Sequence, residues 1–287
     1  MRIAFNKVGS LVGMGTAVLA LLLSTLPVPA VHAADDAAKL YEQGVELAKK
    51  GKYEQALPKL EAAASQSPSN PDYQNYLGLV YTNLGRYHDA IRTSARALQL
   101  KPGRTEALEN LVAAYETLED WRGMIEPLET LSQAQPEKAV YHARLGRAYF
   151  QLGNDAKAID ALTRAVKWNP HDEASMYKLG EIHLRQGHYE KAVDYLERAV
   201  SGFPFPYQRY YNLGLAYAHL QQYDKALKNF NRCAEEQPNF APAYYNMGAV
   251  YQNTGRHQQA IEMYEQALEK NPALTEARDN LMALNKT

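Results

Sequence analysis

Seven prolines, Pro68, Pro102, Pro136, Pro170, Pro204, Pro238 and Pro272, stand 34 residues apart, and they make up half of the 14 prolines in the chain. A period of that length, kept without insertion, restricts the fold to a row of like units. Each unit is too small to bury an apolar face alone and must stack on its neighbours. Two more series keep the same step. Gly44, Gly78, Gly146, Gly180, Gly214 and Gly248 form one, interrupted at Val112; Ala56, Ala90, Ala158, Ala192, Ala226 and Ala260 form the other, interrupted at Met124. Tyr81, Tyr115, Tyr149, Tyr217 and Tyr251 recur likewise, with Leu47 and His183 in the remaining places. The units run 37–70, 71–104, 105–138, 139–172, 173–206, 207–240 and 241–274.

Within unit six, Tyr210, Leu213, Gly214 and Tyr217 fall at i, i+3, i+4, i+7, and Ala226, Phe230 and Cys233 at i, i+4, i+7. These are the apolar stripes of two amphipathic helices. The turn between them holds Gly51, Gly85, Gly153, Gly187 or Gly255 in five units, where a left-handed residue closes the first helix. The recurrent proline ends the second helix. Glycine and alanine mark where the paired helices approach closely. Cys233 occupies a place held by Ala63, Ala97, Ala165, Ala199 and Ala267, which makes it a small core residue rather than a reactive thiol. As the only cysteine it also excludes an internal disulfide and a multi-thiolate metal site.

Unit three departs from the frame, with Val112, Met124 and Leu131 for small residues, Glu119 for the turn glycine, and Pro127 placed where it should bend the second helix. Pro58 lies nearer its helix start. Residues 275–287 keep Leu281 and Leu284 on one side among Arg278, Asp279, Asn280 and Lys286, as a helix capping an open stack does.

This frame resembles the tetratricopeptide repeat family over residues 37–274, most clearly in GHYEKAVDYLERAV at 187–200 and YYNLGLAY at 210–217. The resemblance implies an all-α fold, a right-handed α-solenoid of seven helix pairs plus the C-terminal capping helix, with the first helix of each pair on the concave wall. It also implies a non-enzymatic scaffold for protein or peptide partners. The family's carboxylate clamp for chaperone tails needs a lysine and, one turn later, an asparagine in one unit, and no unit has that pair.

Residues 1–33 read as a secretory signal peptide: Arg2 and Lys7, an apolar stretch from Leu11 to Leu26, Pro27 and Pro29, then Val31 and Ala33 before a cut after Ala33. Residues 34–36 are a short lead. An uncleaved anchor is the alternative, and either places the repeats outside the cytoplasm, in the periplasm or secreted. After cleavage no stable membrane span is expected. Removing Arg2 and Lys7 takes the 31 basic residues to 29 against 32 acidic ones, so nucleic-acid binding is not expected.

No H-E-x-x-H pair, P-loop or nucleophile elbow occurs, so no catalytic residue, metal ligand or cofactor is assigned. His183 sits in a core place. On a helical wheel the residues facing away from the core line the groove. They include Tyr177, Tyr211, Asn212, Tyr245, Asn246 and Asn110, and a basic band of Arg144, Arg147, Lys178 and Arg185 faced by Glu106, Glu109 and Glu116. Tyr41 and Tyr76 also reach it. In the resembled family such asparagines hydrogen-bond an extended peptide, and the band suits a carboxylate or acidic peptide. If the charges serve only the surface, Glu181 pairs with Arg185 at i, i+4. The expected function is an exported adaptor in envelope complex assembly. The alternative is a glycan-binding or polysaccharide-export protein in which Tyr177, Tyr211 and Tyr245 stack on sugar rings. The convex side and unit three leave room for a homo-oligomer.

Overall fold

The computed structural model describes residues 28–199 and 206–285, with side chains from residue 35 onward. The apolar stretch from Leu11 to Leu26 and Pro204 lie outside them, and Ala33 lies within the first helix. Among the described residues there are fifteen α-helices and no strand. They run as antiparallel pairs: α1 (Val28–Lys49) with α2 (Tyr53–Gln66), α3 (Pro71–Asn83) with α4 (Tyr87–Leu100), and α5 (Thr105–Thr117) with α6 (Ile125–Ala134). Next come α7 (Ala139–Gln151) with α8 (Asp155–Trp168) and α9 (Glu173–Arg185) with α10 (Tyr189–Arg198). The last pairs are α11 (Pro206–His219) with α12 (Tyr223–Glu236) and α13 (Ala241–Asn253) with α14 (His257–Lys270), closed by α15 (Thr275–Leu284). The chain is an α-solenoid of helix pairs. None of the described helices is long and apolar enough to cross a membrane.

Each pair is closed in the same way. The amide three residues past the end of the first helix donates to the carbonyl five residues back, at Leu47, Tyr81, Tyr115, Tyr149, His183, Tyr217 and Tyr251, over 2.8–3.0 Å. That bond needs a left-handed residue just before it. Gly51, Gly85, Gly153, Gly187 and Gly255 supply it with φ between 72° and 77°, whereas Glu119 (φ 54°) and Gln221 (φ 58°) adopt it against the steric preference of an L side chain. Gln221→Gly is therefore expected to stabilise the protein by about 1 kcal/mol, read as a higher urea midpoint at unchanged slope. An unchanged midpoint would mean that the turn is not strained.

Inside five of the pairs, the recurrent glycine of the first helix faces one large residue of the second; in the second pair Gly78 faces Ser94. A Cβ on Gly44, Gly146 or Gly180 would meet Leu60, Leu162 or Leu196 at 2.5–2.6 Å, and on Gly214 or Gly248 the ring of Phe230 or Tyr264 at 2.5 and 2.7 Å. All five partners are buried, so the absent side chain is what lets the backbones close over them. Tyrosines link the second, fourth and sixth pairs to the one before. The Tyr81 and Tyr149 hydroxyls donate to Glu61 and Glu129 over 2.7 and 2.5 Å, and Tyr217 donates to Glu197. Burial, then the hydrogen bond to glutamate, pushes each of these phenols up to about 12.

Unit three differs, and not in the way its proline suggests. Pro127 does not bend a helix: α6 begins at Ile125, four residues later than the period set by its neighbours, so Pro127 stands in the first turn, where no intrahelical donor is needed. Pro58, by contrast, lies inside α2, which runs on without a break. Val112 fills the glycine place opposite Leu128, and a cavity of about 560 Å³ opens between α4, α5 and α6, lined by Leu108, Tyr115 and Pro127 among others. At the far end α15 buries Ala277 and Leu284, and Asn280 donates to the Tyr264 hydroxyl over 3.2 Å. Cys233 is fully buried, and burial pushes its thiol up to about 12, which leaves no thiolate near neutral pH.

Candidate functional site

The first helices α5, α7, α9, α11 and α13 carry the expected groove residues, and the structure separates them into three groups. The asparagines are turned to the preceding pair. Asn212 Nδ2 donates to the Tyr177 hydroxyl over 3.2 Å, and Asn246 Nδ2 to the Tyr211 hydroxyl over 3.1 Å and to the Pro242 carbonyl over 2.8 Å. Asn110, itself buried, donates to the Asn75 carbonyl and Oδ1 over 3.3 and 3.4 Å. With its amide hydrogens directed inward, Asn246 retains only its carbonyl oxygen for a ligand. These contacts join one unit to the next.

The tyrosines are less open than the wheel implies. Tyr177 is 4% exposed and offers no ring face, so the expected three-ring stacking platform is reduced to Tyr211 and Tyr245, both half-buried. Tyr211 sets its ring edge-on to Phe240 at 5.1 Å, and Tyr245 lies 5.8 Å from Tyr264. Burial raises the hydroxyls of Tyr177 and Tyr211 above the ordinary phenol, and the asparagine hydrogen bonds pull the other way. Near the other end Tyr41 packs on Tyr73 and Tyr76 at 4.6 and 5.4 Å, and burial with Tyr76 beside it pushes its hydroxyl to about 12.

The basic band is a set of ion pairs. Arg147 and Arg144 share Glu116, the latter at 3.5 Å; Lys178 pairs with Glu181 at 2.8 Å; Arg185 pairs with Asp155 at 2.5 Å. The expected Glu181–Arg185 pair is thus replaced by one within α9 and another reaching α8. Lys178 and Arg185 also lie 4.3 and 5.1 Å from the Phe150 ring centroid, and Arg147 5.3 Å from that of Trp121. Glu109 accepts from the Tyr141 hydroxyl over 2.5 Å, and Glu106 lies 3.4 Å from Arg104. Pairs this exposed each contribute about 1 kcal/mol or less, and three carboxylates against four cations leave little net field for an acidic ligand.

What the wall does offer is a recess between α11 and α13, about 200 Å³ in volume, lined by Leu215, Ala218, His219, Tyr223, Asn246, Ala249, Val250 and Asn253. Small residues at Ala218 and Ala249 leave the space, Leu215 and Val250 make it apolar, and the two asparagine side chains add polar groups. Leu215 and Ala218 face the groove on the wheel. His219, Tyr223 and Asn253 do not emerge from a single-helix wheel, because they belong to the ends of three different helices.

His183 lies where tyrosine stands in five other units. It is 6% exposed, its Nδ1 has no hydrogen-bond partner, and its ring stacks on Tyr195 at 5.6 Å. Glu190, Lys191, Asp194, Tyr195 and His188 surround it. Burial, then the charges of Lys191 and His188, hold its imidazole below the ordinary histidine range. The unfolded chain therefore binds a proton that the native chain refuses. The stability this residue contributes is full above about pH 6.5, falls below it, and is lost as pH passes the lowered native value. His183→Tyr is expected to lose less of its thermal midpoint between roughly pH 7 and pH 5 than the native protein; parallel losses would contradict this.

Profiles described as tetratricopeptide repeat match residues 34–105, 177–241 and 241–274, and a third, described as TPR repeat, matches 146–187. Between residues 34 and 274 the unmatched stretch is 106–145, which takes in nearly all of unit three, where the frame is broken, and the start of unit four. No curated protein matches the chain. Among solved structures it is similar to MamA, with 26% identity over 56% of this chain and 95% of that one at a TM-score of 0.53. A tetratricopeptide repeat protein from Parabacteroides merdae shares its fold at 18% identity, covering 88% and 100% of the two chains, with a TM-score of 0.54. So does Pseudomonas aeruginosa pilF, at 17% identity over 75% and 96%, with a TM-score of 0.54. Helix pairs closed by left-handed turns, glycines set against large partners, and profile matches over 34–105 and 146–274 have one reading: the chain belongs to the tetratricopeptide repeat family, whose fold serves as a scaffold for protein–protein interaction.

Proposed function

We propose that the protein is an exported, non-catalytic adaptor that holds a protein segment in its concave groove at units six and seven, in the assembly of an envelope complex. The observation that carries this is the recess between α11 and α13, which has the size of one large side chain and an apolar floor with asparagine side chains beside it. A helix or extended segment gains affinity there by inserting one apolar anchor and hydrogen-bonding at the rim. The paired basic band sets no strong preference for an acidic partner. Export rests on residues 1–33, whose apolar stretch and small residues at Val31 and Ala33 fit a cleaved signal.

The test is affinity capture from an envelope extract of the producing cells, with the N-terminus of the recovered chain sequenced in parallel. An N-terminus at Ala34 and a protein that is retained by the native chain but lost from folded Ala218→Phe/Ala249→Phe are expected. Loss should exceed tenfold, since filling a pocket excludes its anchor outright. A partner retained equally by both chains would move the site elsewhere, and retention of polysaccharide in place of protein would favour a glycan ligand.

A further inference from the structure

Arg209 breaks the repeat at a buried place. It is third in its unit, where units two to five and seven have Tyr73, Ala107, Tyr141, Ser175 and Ala243, all uncharged and all buried, and where Lys39 of unit one is exposed. Arg209 is 6% exposed, and among the described residues its side chain takes part in no ion pair. A guanidinium largely withdrawn from water without a counter-charge is costly, and buried charges are ordinarily paired or bound to something.

The space beside it is a cavity of about 450 Å³ between α10, α11 and α12, and Lys225, Lys228 and Arg232 line it with Arg209. The Arg209 and Arg232 guanidinium carbons lie 4.6 and 5.6 Å from the centroid of the same Tyr210 ring, which holds both forks beside the cavity. Lys225 lies 5.1 Å from the Tyr217 ring centroid. The one carboxylate in the lining, Glu197, already accepts the Tyr217 hydroxyl. Four cations thus face one engaged anion, unlike the groove band, where every cation has a carboxylate. The cavity shares no residue with the groove recess, and it does not depend on the groove reading.

We infer that this cavity binds a compact, multiply charged oxyanion of the phosphate class, free or esterified. Two guanidinium forks suit the parallel oxygens of phosphate, and two ammonium groups supply point charges. A compact group carrying two or more charges matches the excess of cations, whereas a carboxylate brings only one charge in the same volume. The buried Arg209 would orient the anion, and the exposed Lys225, Lys228 and Arg232 would draw it in.

The test is thermal unfolding of the purified full chain in inorganic pyrophosphate against chloride at matched ionic strength. Arg209→Tyr installs the residue of units two and four, and Arg232→Gln the residue that Gln266 supplies in unit seven, so both variants keep the fold. Pyrophosphate is expected to raise the native midpoint by several degrees with saturation, by linkage. Arg209→Tyr should abolish the rise without lowering the midpoint in chloride, and Arg232→Gln should weaken the apparent affinity at least tenfold. No rise in the native protein, or an equal rise in both variants, would overturn the site. Stabilisation by hexaglutamate but not by pyrophosphate would overturn the phosphate assignment in favour of an acidic peptide. Flotation with phosphatidylcholine vesicles, with and without phosphatidylglycerol, separates the sources: Arg209-dependent flotation on anionic vesicles assigns a lipid headgroup, and a pyrophosphate response without flotation assigns a soluble phosphate.

Discussion

Gly214→Leu is expected to destabilise the protein by about 3 kcal/mol, at the upper end of overpacking losses. A Cβ at this position would lie 2.5 Å from two carbons of the Phe230 ring, and Phe230 is fully buried. The rest of a leucine side chain would force α11 and α12 apart, and with them the faces that α12 and α11 present to their neighbours. In a stack where each unit is stabilised by the next, such a change spreads outward. Urea unfolding followed by hydrogen exchange reads it, with protection lost first in α11–α14. Gly153→Ala is the contrast. Nothing lies within 4 Å of a Cβ there, so only the left-handed φ of 73° opposes the change, at about 1 kcal/mol. Equal losses at the two glycines would mean that close approach is not what the recurrent glycine provides.

Phe230→Ala approaches the same contact from the other side and should destabilise the protein by about 3–5 kcal/mol, the range for a buried aromatic removed without collapse of the cavity. The pair is also coupled. Truncating Phe230 to Ala removes the ring atoms that a Cβ at residue 214 would meet. Combining Phe230→Ala with Gly214→Ala should therefore lose less than the sum of the two single changes, by roughly 0.5–3 kcal/mol, as contacting residues do. Strict additivity in a double-mutant cycle would place the two side chains out of contact.

The helix pairs were legible in the sequence because one 34-residue period fixes both stripes, the turn and the stop, and every signal recurs several times. Unit three shows where such reading fails. Pro127 interrupts the apolar stripe, but whether a proline bends a helix or begins one depends on where the helix starts, and the start moved to Ile125. The groove was half legible. A wheel shows which way a residue faces on its own helix, and Leu215 and Ala218, which face away from the core of α11, line the recess. It does not show what arrives from the next unit. The bonds that withdraw Asn212 and Asn246 span 35 residues, and the pair joining Arg185 to Asp155 spans 30. Those separations exist only once the superhelical stack brings one unit over another. Arg209 carried a signal of a different kind: a charge in a column that holds tyrosine, alanine or serine in five other units and a lysine, Lys39, only in the first, visible on aligning the units by their period.

Site-directed crosslinking tests the central claim, that the groove at units six and seven holds a protein partner, most directly. A photoreactive benzoylphenylalanine replaces Leu215 or Ala249 in the recess wall, and separately the exposed Arg164 of α8 or Glu265 of α14, in cells that make the protein. One covalent adduct of the same mass is expected from both recess positions and none from Arg164 or Glu265. An adduct from the second-helix positions with none from the recess would contradict it.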